Sequence, residues 1–205
     1  MKYKIVKNEK RNTLTVILSP VVFNFTRYLY ERYNDTKFFA TGILDKQDYK
    51  EDIMPFVNEL ATKLNEVGKG ILPTTEAIVA GDIITVNDDE YRLITKNTDR
   101  DGVWDKQFKI NLSSKSKKED KQFLFAKLDE SEIIPEDKSK GYKYGVEIEI
   151  GVGYNEDNLE KYVYTVFHRA IALEERESSG EPMYKSNDDA WSGFNFSTES
   201  EDMPF

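Results

Sequence analysis

Tyr142-Lys143-Tyr144-Gly145-Val146-Glu147-Ile148-Glu149-Ile150-Gly151-Val152-Gly153 alternates apolar side chains with lysine, glycine and glutamate. Successive side chains of a strand point to opposite faces. Tyr142, Tyr144, Val146, Ile148 and Ile150 therefore share one face, and Lys143, Gly145, Glu147 and Glu149 share the other. One apolar and one polar face is the pattern of an antiparallel strand packed on one side only. The turn Tyr154-Asn155-Glu156-Asp157-Asn158 follows. Tyr162 to Leu173 then returns as a second strand, with Val163, Phe167, Ile171 and Leu173 facing one way.

The same alternation runs through most of the chain. Residues 2–7 and 13–18 are β-prone and flank the turn-like Asn8-Glu9-Lys10-Arg11-Asn12, which predicts a hairpin that Pro20 ends. Phe23 to Tyr33 mixes aromatic with polar or basic residues. Lys37 to Leu44 predicts a strand with Phe39, Thr41 and Ile43 on one face and Phe38, Ala40 and Leu44 on the other. After Pro73, further strands are expected over 83–86, following a Gly81-Asp82 turn, and over 91–95, 104–112 and 121–128. Only Asp48 to Val67 has helical periodicity: Phe56, Leu60, Leu64 and Val67 recur at spacings of three and four, Pro55 suits a first turn, and Gly68 and Gly70 end it.

One helix among many short strands predicts a mainly β fold. A small barrel hides its sheet edges, so the expectation is an OB-fold-like antiparallel barrel with an N-terminal hairpin extension and one packed α-helix. A β-sandwich is the alternative. The domain spans 1–173, and 174–205 reads as a flexible acidic tail.

The 205 residues carry a net charge of −9, but unevenly. From Glu174 onward there are nine acids against Arg176 and Lys185, a net of −7, which leaves residues 1–173 at −2. A near-neutral body can still present basic stripes to phosphates. Cysteine is absent, which removes disulfides, thiol catalysis and Cys-ligated zinc. With His168 as the one histidine, a histidine metal site or a Ser-His triad is not expected. No apolar run reaches membrane-span length and no signal-peptide pattern opens the chain, so a soluble cytoplasmic protein without cofactor is expected.

Binding single-stranded DNA requires rings on which bases stack and cations that follow the phosphates. Residues 104–127 hold both: Lys106, Lys109, Lys115, Lys117, Lys118, Lys121 and Lys127 interleave with Trp104, Phe108, Phe123 and Phe125. A buried ammonium is costly, so these strand faces are expected to be exposed. Lys127 apart, these residues are the first candidate site. Arg27, Tyr28, Tyr30, Arg32 and Tyr33 form a second candidate patch, and Lys138, Lys140, Tyr142, Lys143 and Tyr144 a third.

The chain closes on Glu199-Ser200-Glu201-Asp202-Met203-Pro204-Phe205, an acidic run ending in Pro-Phe. Negative charge, a stiffened backbone and an apolar plug suit a pocket with a basic rim on a partner. This ending resembles the acidic tail tip of bacterial single-stranded-DNA-binding proteins. Together with the strand order and the Trp191-Ser192-Gly193-Phe194 patch, the chain looks like the phage single-stranded-DNA-binding proteins that pair one OB-fold with an acidic tail ending in Phe. The resemblance implies DNA protection, hairpin removal and recruitment of replication or recombination proteins (polymerase, helicase, primase or recombinase) through Glu199, Glu201, Asp202, Met203, Pro204 and Phe205. It also implies the host cytoplasm as the place of action, and a tail that competes with DNA for the body. Oligomeric state is left open, a homodimer included.

Two other readings compete. Glu147 and Glu149 on one strand face, or Asp99, Asp101 and Asp105 in a loop, could hold Mg²⁺ in a nuclease. Alternating glutamates on a strand are more simply a solvated face, so the expectation is no enzyme. The other alternative is an adaptor that binds proteins through its tail and never touches DNA.

Overall fold

The computed structural model of the chain describes residues 1–86, 92–96, 107–114 and 122–173. Among them, β1 (Lys2–Asn8) and β2 (Thr13–Phe23) form the expected hairpin, in register from Lys2 opposite Ser19 to Asn8 opposite Thr13. Pro20 does not end β2, contrary to the sequence expectation. The strand continues to Phe23, and its pairing with β8 (Lys143–Asn155) jumps from Leu18 to Val21. A proline lacks the N–H that a regular ladder needs, and a bulge accommodates it.

That continuation makes β2 the centre of the sheet. β8 covers one edge of it from Leu14 to Val22. The other edge is shared, first by β1 and then, from Val21 to Phe23, by β3 (Phe38–Leu44). β6 (Phe108–Ser114) pairs with β3, β5 (Ile94–Lys96) with β6, and the short β4 (Ile84–Thr85) with β5. On the far side β9 (Glu160–Ala172) runs antiparallel to β8, and β7 (Leu124–Phe125) joins β9. The resulting order is β4-β5-β6-β3-β2-β8-β9-β7, with β1 beside β2. β6 also approaches β9. The sheet thus curls on itself as an OB-like barrel.

One helix packs on this sheet. Asp48 starts it by accepting hydrogen bonds from the N–H groups of Lys50 and Glu51, which satisfies donors that have no partner inside the helix. A π-type turn, Tyr49–Ile53, leads into α2 (Met54–Val67), with Pro55 in its first turn. Phe56, Val57, Leu60, Ala61, Leu64 and Val67 are buried, the stripe that the periodicity predicts. Two shorter helices, α1 (Arg27–Tyr30) and α3 (Ala80–Ile83), lie in the connections. α3 occupies the place of the expected Gly81-Asp82 turn. Among the described residues, three strands are shorter than the sequence suggests: two residues in β4 and β7, three in β5.

The core lies inside the curl. Leu14, Val16, Leu18, Val21 and Phe23 of β2 meet Tyr144, Val146, Ile148 and Ile150 of β8, Phe167 of β9 and the helix stripe. A smaller cluster of Ile17, Phe125 and Ile171 packs separately. Among the described residues, no helix is long and apolar enough to cross a membrane.

Candidate functional site

The chain between β2 and β3 builds an exposed aromatic cluster. It turns at Asn34 and Asp35, both left-handed (φ 48° and 55°), a conformation these two residue types adopt at little cost. The turn is closed by the Thr36 N–H donating to the Tyr33 carbonyl (3.1 Å) and the Tyr33 N–H donating to the Lys37 carbonyl (2.8 Å). Leu29 of α1 plugs into the core, which anchors the segment. Phe25, Tyr28 and Tyr33 are thereby gathered around Phe39, on the outward-facing side of β3.

Tyr28 stacks on Phe39 with centroids 5.0 Å apart, and Tyr33 meets both edge-on at 5.0 and 5.4 Å. Phe25 adds a fourth ring, 5.4 Å from Tyr28. Phe25 is 48% exposed and Tyr33 39%. Two cations sit over these rings: Lys37 Nζ lies 5.9 Å from the Phe39 centroid, and the Arg27 guanidinium 6.0 Å from that of Tyr28. Arg27 also forms an ion pair with Glu31 one helical turn away. Exposed aromatic rings clustered beside cations mark an interaction surface.

Tyr33, Lys37 and Phe39 open onto a groove of about 850 Å³. Its base is outward-facing β3 and β6: Phe39 pairs with Ser113, and Thr41 with Asn111. Asn111 donates its side-chain amide to the Arg92 carbonyl (2.7 Å) and its backbone N–H to the Leu93 carbonyl (2.9 Å), fixing those two lining residues. Tyr162 to Val166 of β9 line the groove as well. Among the described residues, the acid that lines the groove is Asp82, held 3.0 Å from Lys161.

Tyr162 and Tyr164 lie down across the neighbouring strand. They pair with Gly153 and Gly151 of β8. A Cβ at Gly151 would stand 2.4 Å from the Tyr164 ring carbon Cζ, and one at Gly153 would stand 2.3 Å from Tyr162 Cζ. The missing side chains are what allow both rings to rest on the strand. Tyr162 remains 51% exposed and Tyr164 39%. Partial burial and then the nearby Glu149 charge raise the Tyr164 pKa, so its phenol stays neutral at ordinary pH.

The three patches expected from the sequence fare differently. In the first, Trp104, Lys106, Lys115, Lys117, Lys118 and Lys121 lie outside the described residues. Phe108, Phe123 and Phe125 are corrected to core residues, 4%, 1% and 7% exposed. β6 is flanked by β3 and β5, and its Phe108-Ile110-Leu112 face is the inner one. Lys109, Asn111 and Ser113 point the other way, half-buried. Phe123 stacks on Phe167 at 5.2 Å. Tyr144 of the third patch is corrected likewise: it is fully buried against Phe23 and donates its hydroxyl to the Ser139 carbonyl (2.7 Å). A base cannot stack on a ring with no exposed face.

The second patch supplies Tyr28, Tyr33 and Arg27 to the exposed cluster. Tyr30 instead points inward and donates its hydroxyl to the Ile134 carbonyl. Arg32 sits over the buried Phe38 ring at 5.5 Å. Remnants of the third patch lie nearby. The hydroxyls of Thr26 and Ser139 are 2.5 Å apart, which joins α1 to the segment leading through Tyr142 to the half-buried Lys143. Sequence reasoning missed Lys37, Phe39, Tyr162 and Tyr164 as site residues.

The glutamates of β8 are engaged with protein partners. Glu147 accepts from Arg169 Nε at 2.6 Å. Glu149 is buried, not solvated as expected: it accepts from the Thr13 hydroxyl (2.9 Å) and Arg11 (3.2 Å), and lies 3.2 Å from His168 Nε2. Asp99, Asp101 and Asp105 lie outside the described residues. Among the described residues, no group of three or more potential ligands could hold a metal ion.

No protein-family model matches the sequence, and no curated protein matches it. Solved structures do share its fold. The single-stranded DNA-binding protein from bacteriophage Enc34 superposes with a TM-score of 0.52 at 14% identity, covering 94% of this chain and 99% of its own. The same protein in complex with ssDNA gives 0.52 and 14%, covering 86% and 99%. Its C-terminal truncation gives 0.50 and 14%, covering 87% and 98%. At this identity the likeness is one of fold.

Proposed function

We propose that the chain is a sequence-independent single-stranded-DNA-binding protein of phage replication or recombination. The observation that carries this reading is the four-ring surface cluster of Phe25, Tyr28, Tyr33 and Phe39. It has Lys37 and Arg27 over its rings and opens onto a groove. Stacking platforms beside cations are what a single strand requires, because every base has a π-face and every nucleotide a phosphate. The shared fold of a phage protein solved in complex with ssDNA supports the same reading.

In this function Tyr33 and Phe39 receive bases, and Lys37 neutralises phosphate. Lys109 and Lys143 add charge on the outer faces of β6 and β8. The run Lys115, Lys117, Lys118 and Lys121 follows Ser114, one residue beyond the groove-lining Ser113. It and the Trp104-Lys106 stretch extend the phosphate and base contacts. Such contacts position a strand without reading its sequence. Segment 174–205, with its net charge of −7, acts as a tail. It competes with DNA for the body and, once displaced, presents Asp202-Met203-Pro204-Phe205 to replication or recombination proteins.

The test is fluorescence titration with oligo-dT at several salt concentrations, beside a duplex of equal length. Saturable quenching, preference for the single strand and a steep loss of affinity with salt are expected. No oligonucleotide binding by either the full chain or a variant lacking 174–205 would overturn the function and leave the adaptor reading.

A further inference from the structure

We propose that Tyr162 and Tyr164 form a second base-stacking step, in the groove that Tyr33 and Phe39 also line. This step makes the site select a strand pulled out of its helical stack. The inference rests on the single-stranded-DNA reading above and adds a specificity determinant to it.

The two rings have the form of a platform. Each is laid flat by a glycine opposite it on β8 and keeps an outer face in solvent, with exposures of 51% and 39%. They also line the groove that the first cluster opens onto, so one strand can meet both sets of rings. Cations lie among the carboxylates around them. Of the carboxylates beside them, Glu149 is held by Arg11, Thr13 and His168, while Asp82 and Glu76 both face Lys161. Arg11 thereby offsets Glu149, and Lys161 offsets one of the two charges on Asp82 and Glu76.

The spacing sets the preference. The ring centroids are 6.4 Å apart. Successive bases in a helically stacked strand rise about 3.4 Å each. The two ring planes are also inclined by 48°, so two neighbouring bases can occupy both rings only if they are unstacked from each other. A thymine tract, which stacks weakly, reaches this state easily. An adenine tract must first unstack.

The experiment uses the full chain and the double variant Tyr162→Thr/Tyr164→Thr, with threonine chosen to suit a strand. Both are titrated with oligo-dT of increasing length and with oligo-dA. Short oligomers that fill only the Tyr33/Phe39 rings should bind both proteins alike. Long oligomers should bind the variant roughly 5- to 150-fold more weakly per base lost. The dT-over-dA preference should narrow in the variant. Gly151→Ala, which drives a methyl into the Tyr164 ring, should reproduce part of the loss with both tyrosines present. Unchanged binding at every length, or an equal loss at every length, would overturn the second step. If the wild-type chain binds no oligomer at all, the failure lies in the parent function.

Discussion

The rings of Tyr28 and Phe39 stack with their planes 24° from parallel, joining the segment after β2 to the outer face of β3. Phe39 is also in contact with Tyr33 and lies beneath Lys37. Truncating it removes the ring on which the cluster is organised. Phe39→Ala should weaken oligo-dT binding by about 1–3 kcal/mol for each base that loses its platform. Thermal unfolding should shift by only a few degrees, because the outer face of β3 contributes little to the core. A large affinity loss with near-normal stability, read by titration and calorimetry together, is the expected pair of results.

Lys37 should act through charge. Lys37→Gln should lower affinity for every sequence alike, and should reduce the slope of log K against log salt by about 0.7, one single-strand phosphate's worth. An affinity loss with an unchanged slope would mean that Lys37 serves the rings and not a phosphate.

Deleting 174–205 should raise affinity for oligo-dT at low salt and leave it nearly unchanged at high salt. The reason is that an acidic competitor and the DNA use the same cations, which salt screens. The comparison is one titration with two proteins. No gain at low salt would exclude competition by this segment.

Phe123→Ala should behave in the opposite way to Phe39→Ala. Phe123 is 1% exposed and sits between Phe38 and Phe167. Its removal should cost about 3–5 kcal/mol of stability, the range for aromatic truncation in a core. The folded fraction should bind DNA like the wild type. Denaturant titration and binding measured on the same sample separate the two effects.

Tyr30 gives a pH prediction. Burial, with Glu136 and Asp137 adding to it, pushes its pKa up to about 12 in the folded protein, against about 10 unfolded. The folded state therefore favours the protonated phenol. The stability this provides is complete below pH 10 and is lost as pH rises from 10 through 12. Tyr30→Phe should be less stable than wild type at neutral pH, because the Ile134 carbonyl loses its donor. It should also show a shallower decline over that alkaline window, in urea midpoints measured between pH 9 and 12.

The barrel was legible in the sequence where one physical signal acted alone. The alternation of 142–153 identified β8, and the spacing of Phe56, Leu60 and Leu64 identified α2 with its buried face. Where two signals conflicted, inference failed. Lysines beside Phe108 and Phe123 suggested an exposed face. The lysine on the Phe108 face, Lys106, lies outside the described residues, and β7 ends after two residues, before Lys127 bears on it. The sides of these strands could be read, but the side facing the core could not. That depends on which strands flank them, a long-range fact. Phe39 was correctly placed opposite Phe38, yet its role depends on a segment folding back from α1. Tyr162 and Tyr164 did carry a signal. Folding the β8–β9 hairpin about its turn sets a Gly-x-Gly against a Tyr-x-Tyr, which periodicity within either strand alone does not show.

That cross-strand arrangement binds the evolution of two positions to each other. Once Tyr164 rests on Gly151, neither can drift independently: any side chain at 151 evicts the ring, and loss of the ring leaves bare backbone exposed. Among descendants and relatives of this chain, glycine on β8 and aromatic on β9 should be inherited or lost as a pair. Substitution histories at 151 and 164 should be correlated, as should those at 153 and 162, even where the surrounding sequence has diverged beyond alignment by eye.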